Sequence, residues 1–393
     1  MKVVYIRRRT LLGVFLLLLG VIGGGLAWNR SHITSSTGYN IREYFPSLVY
    51  LPGYQQGPKV HAAAAILIEA KSGAILYAKN EEVRRAPAST TKMMTAIVAL
   101  EKAQLNQVIQ ISPQAAYIHG SSIPIRPGER ITLKELLEGV MLESGNNGSV
   151  AVAEGVAGSV DKFVELMNLK AKEIGALKTN FRNPHGLRAP SHYTTALDLA
   201  LIARYGLVDE RFARIVRRRT ATMEKLSGRE VKISNTNRLL WSLQGADGVK
   251  TGTTNEAGHC LVASATRQGQ QYIAVALNSP DRWGDCARML DYAFNQFSIV
   301  QIADARRPLG KVAVSKGIPA EVAFFPRNNL YAVVRKGQED LIQPVKTLNQ
   351  ANLQAPLSPG CIVGKLGYRF QDQTVTGVDL VIRQVVRKRG WFW

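Results

Sequence analysis

The chain has 393 residues, 46% of them hydrophobic, which allows two domains with at least one substantial core and excludes a disordered or fibrous protein. Fifty Lys and Arg against twenty-nine Asp and Glu leave a formal charge of +21, suited to nucleic acid, an anionic membrane face or an anionic wall polymer. No zinc-finger spacing, RNA-binding signature or basic helix with heptads occurs, so nucleic acid is not expected as a partner.

Lys2, Arg7, Arg8 and Arg9 precede an uncharged apolar run, Thr10 to Trp28, which as a helix would measure about 28 Å, close to the bilayer hydrocarbon thickness. The cationic flank stays in the cytoplasm and directs the remainder of the chain outside. Gly25-Leu26-Ala27 suits signal-peptidase cleavage, and the run is also long enough to remain as an anchor; both fates stay open for residues 1–28. Residues 29–60, polar and carrying Pro46, Pro52 and Pro58, read as a stalk.

Next, Ala62 to Glu69 and Gly73 to Tyr77 predict two strands around a Lys71-Ser72-Gly73 turn. Met93, Ala96, Ile97 and Leu100 give one apolar face to a helix over Thr90–Ala103, with Ser89 as its N-cap after Pro87. Thr132 and Glu135 form a capping box for a helix to Leu142, and the polar turn Ser144-Gly145-Asn146-Asn147 separates it from a helix through Ala151 to Val156. Further helices are expected at Val160–Ile174, Thr195–Tyr205 and Met289–Phe297, and Arg267-Gln268-Gly269-Gln270 joins strands Cys260–Ala265 and Tyr272–Leu277 into a hairpin. Strands at both ends with helices between predict an α/β (α+β) fold over residues 61–298, a mostly antiparallel sheet flanked by helices. Residues 299–380 hold short strand patterns (Val312–Val314, Glu321–Phe325, Tyr331–Arg335, Ile362–Leu366, Val375–Ile382) and predict a small β-rich domain. The tail, 381–393, mixes Arg383, Arg387, Lys388 and Arg389 with Trp391-Phe392-Trp393; it suits either a membrane interface or a strand with a solvated charged end.

The chemistry begins at Ser89-Thr90-Thr91-Lys92. On a helix Lys92 faces the same side as Ser89, and a lysine kept neutral by burial or a neighbouring cation can take a serine proton. The helix N-terminus adds backbone N–H groups beside the attacked carbonyl. Alone the pair is weak evidence, and a capped surface helix would contain it equally well. Ser144-Gly145-Asn146 in a polar turn and Lys250-Thr251-Gly252 on a strand edge, where a cation and a hydroxyl can hold a peptide carboxylate, make the set far more specific.

With these motifs the sequence resembles the low-molecular-mass penicillin-binding proteins that act as serine D-Ala-D-Ala carboxypeptidases. The likeness runs through Arg85-Ala86-Pro87-Ala88-Ser89-Thr90-Thr91-Lys92-Met93-Met94-Thr95, Pro127-Gly128-Glu129-Arg130, Ser144-Gly145-Asn146-Asn147, Asn183-Pro184-His185-Gly186-Leu187, His192-Tyr193-Thr194-Thr195-Ala196 and Asp247 to Thr254 with Glu256-Ala257-Gly258, and covers roughly residues 55–297. The β-rich segment after it resembles the family's second domain. The resemblance implies a penicillin-binding transpeptidase-like fold and an acyl-enzyme on Ser89. Lys92 would be the base, Ser144 the proton carrier to the leaving amine, and Asn146 the brace for Lys92 and substrate. The oxyanion would lie between the N–H groups of Ser89 and Thr253. Lys250, Thr251 and Thr253, with Gly252 between them and Arg282 as a second cation, would bind the terminal carboxylate. Peptidoglycan stem peptides would be the substrate, β-lactams covalent inhibitors, and the extracytoplasmic face of the bacterial cell membrane the location, with no cofactor and no metal.

Asn147-Gly148 and Glu143 depart from the family's usual text, where acidic-then-small residues and a proline are common, and Thr253 replaces a bulkier residue. A β-lactamase would need a deacylating glutamate, and Glu165 and Asn168 lack that motif's spacing. An endopeptidase on cross-linked stems would use the same residues, whereas a non-catalytic wall-binding protein would be expected to lose Lys92 or Ser144. His185 and His192 lack the spacing of a helical zinc pair and are expected to be structural. Cys260, Cys286 and Cys361 match no metal or redox spacing and are read as small buried hydrophobes.

Overall fold

The computed structural model describes residues 49–390 except 225, 227, 350–352 and 371–372. The N-terminal cationic and apolar segment, residues 29–48 of the expected stalk and the aromatic end 391–393 lie outside the described residues. Residues 49–60, also expected as stalk, instead join the first domain, with Val49–Tyr50 on the edge of its sheet and Val60 buried in its core.

The first domain is built on a six-stranded sheet of β1 (Val49–Tyr50), β2 (Ala64–Glu69), β3 (Ala74–Lys79), β4 (Ala246–Thr254), β5 (Gly258–Arg267) and β6 (Gln270–Leu277). Its order is β1-β3-β2-β6-β5-β4, antiparallel except at the β1–β3 edge. Every residue of β2 is buried, because alternation splits its apolar run between two faces. Ile66 and Ile68 face the larger core with Ile273, Val275 and Leu277, while Ala65 and Leu67 face the other side with Tyr272 and Ala274.

The larger core is closed by α1 (Lys92–Lys102), α2 (Leu133–Leu142), α3 (Asn146–Ala157), α4 (Val160–Ile174) and α5 (Ala196–Val208), the opposite face by α6 (Arg282–Gln296). Met93, Ala96, Ile97 and Leu100 of α1 are all buried, as their spacing predicts. The β5–β6 hairpin forms at the expected turn: Arg267 pairs with Gln270, and Gln268 and Gly269 both have positive φ, 51° and 76°.

Several boundaries differ from the sequence reading. Ser89 is not an N-cap; it lies in a 3₁₀ turn, Ala88–Thr91, and the α-helix starts at Lys92. Ala88 has φ 47°, so the chain enters the turn at an angle that leaves the Ser89 hydroxyl uncommitted to capping. Of the capping box only the Thr132 arm is seen, accepting the Glu135 N–H at 3.4 Å, while the Glu135 carboxylate lies 3.5 Å from Lys134. The closing helix begins at Arg282, capped by Asp281, rather than at Met289.

In the second domain, strands 342–348, 362–370, 373–382, 321–326, 310–315 and 353–354 form a sheet in that order, and Phe297–Ala303 pairs with Leu330–Arg335. Its core holds Val322, Phe324, Leu366, Leu380 and Ile382. The described part of the tail folds against it: Val386 is fully buried, and Arg387 and Lys388 pair with Ile318 and Gly317. Among the described residues no helix is long and apolar enough to cross a membrane.

Candidate active site

Lys92 opens α1 and is fully buried. Its Nζ lies 2.8 Å from Ser89 Oγ, 2.7 Å from Asn146 Oδ1 and 2.7 Å from the His185 carbonyl oxygen. The Asn146 amide is oriented by its other end, Nδ2 donating to the His119 carbonyl at 2.9 Å. Two of the three Lys92 partners can therefore only accept. A neutral amine has two N–H groups for those carbonyls and a lone pair left for the serine hydroxyl. Burial first, and the Lys250 charge second, drive the Lys92 pKa well below its ordinary value. Ser89 itself is half-exposed, so its hydroxyl lies between the buried amine and the cleft.

The loop at Asn183–Leu187 fixes this geometry. Asn183 Oδ1 accepts the Gly186 N–H at 2.7 Å, and Thr95 donates to the Pro184 carbonyl at 2.6 Å, which docks the loop on α1. Gly186 has φ 90°, and a Cβ there would overlap the Ala88 carbonyl oxygen, so the close approach of loop to nucleophile turn requires glycine. The two histidines are structural, as expected. His192 accepts the Arg182 N–H on Nδ1 and is 3.0 Å from Thr91 Oγ1 through Nε2, while His185 Nδ1 accepts from Leu187 N–H. Burial lowers their pKa values to about 4 and about 3, so neither is cationic near neutral pH.

Ser144 sits between α2 and α3 in the left-handed region, φ 68°, and is nearly buried. Asn147 explains one departure from the usual motif: its Oδ1 accepts the Ile123 N–H at 2.9 Å and its Nδ2 donates to the Ile123 carbonyl at 2.7 Å, a pairing a carboxylate cannot complete. Gly148 is small because a Cβ would meet Ile123 and Val140. Glu143 accepts the Ser234 N–H at 3.3 Å, tying the turn to the hairpin 220–234.

Strand β4 forms the opposite wall. A Cβ on Gly252 would lie 3.0 Å from Ser89 N and 3.0 Å from Ala88 Cβ, so the glycine lets the strand press against the nucleophile turn. Lys250 is almost wholly buried, its Nζ has no hydrogen-bond partner among the described residues, and burial and Arg282 lower its pKa to about 7. Thr251 Oγ1 is 2.7 Å from Thr236 Oγ1, and the Thr236 N–H donates to the Leu142 carbonyl at 3.0 Å, linking the strand to the end of α2 just before Ser144. Arg282 donates to Thr253 Oγ1 at 2.7 Å and to the Gly252 carbonyl at 2.9 Å, and Thr253 Oγ1 is also 3.4 Å from His259 Nδ1.

The nine expected site residues thus lie on the nucleophile turn and the first residue of α1 (Ser89, Lys92), the α2–α3 turn and the first residue of α3 (Ser144, Asn146), β4 (Lys250 to Thr253) and the start of α6 (Arg282). Sequence reasoning missed Thr236 and the His185 carbonyl. The first is a lone threonine outside any motif, and the second is a backbone atom that no side chain announces. His61, Asp281 and Asp285 approach one another on α6 and the chain before β2, but Arg288 bonds both carboxylates and lies 3.2 Å from His61, so a guanidinium already supplies the cation. Cys260, Cys286 and Cys361 are free, the first two fully buried.

A serine backed by a buried lysine, facing a strand edge with a second buried cation, on a sheet packed between helices, defines the serine acyl-enzyme class of penicillin-binding peptidases. Comparisons with known proteins narrow the class. Residues 53–281 match the model of peptidase S11, D-alanyl-D-alanine carboxypeptidase, and residues 297–388 that of the penicillin-binding protein 5 C-terminal domain. D-alanyl-D-alanine carboxypeptidase DacF of Bacillus subtilis is 34% identical over 84% of this chain and 87% of its own, and DacC of Escherichia coli is 32% identical over 86% and 87%. The crystal structure of penicillin-binding protein 5 from Haemophilus influenzae superposes with a TM-score of 0.76 at 30% identity, covering 85% of this chain and 99% of that one. The chain belongs to the serine-type D-alanyl-D-alanine carboxypeptidase family.

Proposed function

We propose that the enzyme removes the terminal D-alanine from peptidoglycan stem peptides through an acyl-enzyme on Ser89, at the outer face of the cell membrane. The observation that carries this reading is the fully buried Lys92 amine 2.8 Å from Ser89 Oγ. The Ser89 proton passes to the Lys92 lone pair as Oγ attacks the carbonyl between the two D-alanines. The N–H groups of Ser89 and Thr253 receive the oxyanion, a role favoured by the tight packing of β4 on the nucleophile turn at Gly252. Ser144 carries the proton to the departing amine, D-alanine leaves, and water cleaves the ester with Lys92 again as base. Asn146 braces Lys92, and Lys250, Thr251, Thr253 and Arg282 hold the terminal carboxylate. The buried Lys250 Nζ, without a hydrogen-bond partner among the described residues, supports that role, because such a cation is costly until an anion meets it. β-Lactams acylate the same serine.

Membrane attachment rests on Lys2 and Arg7–Arg9 before the apolar run to Trp28, and the charge of +21 suits an anionic surface. The test of activity is D-alanine release from a stem pentapeptide beside cleavage of a cross-linked dimer. The carboxypeptidase reading requires release from the pentapeptide at the higher kcat/KM, and preferential cleavage of the dimer would make the enzyme an endopeptidase instead.

A further inference from the structure

Beside the cleft a cavity of about 410 Å³ opens between the stretch leading into Ser89, the loop 188–193 and the turn joining β4 to β5. Arg84, Arg85, Arg188 and Glu256 are its charged lining. Arg84 is held over the Tyr193 ring, 4.4 Å from its centroid, and Arg188 stands 3.6 Å from Glu256, too far for a good hydrogen bond. Arg85 is fixed through its backbone, which bonds Thr194 in both directions at 2.8 and 2.9 Å, yet its Nε is buried with no hydrogen-bond partner among the described residues. A desolvated guanidinium nitrogen left unpaired is costly, and three guanidinium groups against one carboxylate favour an anion in the space between them. His192 in the wall adds no charge, since its Nδ1 accepts a backbone N–H.

The place of the cavity along the cleft identifies the anion. Strand β4 meets the nucleophile turn at Gly252, with Lys250 and Thr251 before that crossing and Thr254 and Glu256 after it. A peptide lying antiparallel to β4, with its C-terminal carboxylate at Lys250, runs its N-terminal part toward Glu256, at about 3.3 Å per residue. The residue just before the D-Ala-D-Ala pair therefore comes alongside the β4–β5 turn, where a long side chain can enter the cavity. We propose that this cavity is a second anion subsite of the substrate cleft, formed by Arg85, Arg188 and Arg84, which takes a side-chain carboxylate on the residue preceding D-Ala-D-Ala. The proposal rests on the carboxypeptidase reading and adds a preference for acidic stems to it.

The test compares two synthetic peptides, acetylated α-aminoadipyl-D-Ala-D-Ala and its side-chain amide, as substrates of the full chain. The unmodified enzyme should prefer the carboxylate by about tenfold in kcat/KM, the scale of one charge-assisted contact. Arg188→Gln, at a side chain 85% exposed and so safe for folding, should erase most of that preference through a higher KM for the carboxylate peptide. Arg85→Gln combined with it should remove the rest. Equal kcat/KM for the two peptides overturns the subsite alone. Release of D-alanine from neither peptide overturns the carboxypeptidase reading and the subsite with it.

Discussion

Lys92 and Ser89 are joined by a 2.8 Å contact on one side of an amine that has no exposed surface. The other two contacts of that amine are to carbonyl oxygens, of Asn146 and His185, so the direction of the third is settled by elimination if the amine is neutral.

Lys92→Arg should lose acylation by about a thousandfold or more, since a guanidinium stays protonated and cannot act as base. Stopped-flow labelling with a chromogenic cephalosporin measures it. Retention of more than a tenth of the rate would show that Lys92 is not the proton acceptor.

The second cation makes stability pH-dependent. Lys250 titrates at about 7 in the folded chain, against an ordinary 10.5. Between these values the unfolded chain binds a proton that the folded chain does not, so stability rises with pH there. The contribution is fully present above 10.5 and is lost as pH falls through about 7; Lys92 acts in the same direction. Urea midpoints taken near pH 7 and pH 9 should rise more in the unmodified chain than in Lys250→Met, and an equal rise in both would contradict this.

Arg282 lies beside Thr253 and helps lower the Lys250 pKa. Arg282→Met should therefore raise KM for a D-Ala-D-Ala peptide by about tenfold, one lost charge-assisted contact, with a smaller change in kcat. The pH dependence of KM should also move upward as Lys250 regains its proton. Steady-state kinetics across pH reads both effects, and unchanged KM would remove Arg282 from the carboxylate site.

Two substitutions separate packing from chemistry. Gly186→Ala places a Cβ against the Ala88 carbonyl at a φ of 90° and should cost about 3 kcal/mol or more in stability. Asn147→Asp loses the donor to the Ile123 carbonyl and should cost about 1–3 kcal/mol. Denaturant unfolding checks both, and a loss under about 0.5 kcal/mol in either would mean the loop relaxes around the change.

Much of this was legible in the sequence because local pattern and tertiary demand agree. Met93, Ala96, Ile97 and Leu100 are buried as their spacing predicts, although Met94, Thr95, Val98 and Ala99 are buried too and α1 is enclosed on every side. Gln268-Gly269 supplied the two positive φ values its hairpin requires. Ser89 was misread as an N-cap because a serine after a proline is equally suited to capping, and the positive φ at Ala88 that diverts it has no residue signature. Strand Ile342–Leu348 escaped notice because Gln343, Pro344, Lys346 and Thr347 face solvent around a few half-buried apolar residues. The strand at Phe297–Ala303 was hidden behind α6, whose helical pattern runs directly into it. In the site, side chains with special chemistry were found and their backbone partners were not. The His185 carbonyl reaches Lys92 only because Gly186 lets the loop close on Ala88.

The most direct test of a neutral Lys92 serving Ser89 is the rate at which benzylpenicillin acylates the enzyme from about pH 5 to about pH 10, with the modified peptide identified by mass spectrometry. A label on Ser89, with a rate that rises and levels off well before an ordinary lysine would titrate, is the predicted result. A rate still climbing tenfold per pH unit at the alkaline end, or a label on any other residue, would contradict it.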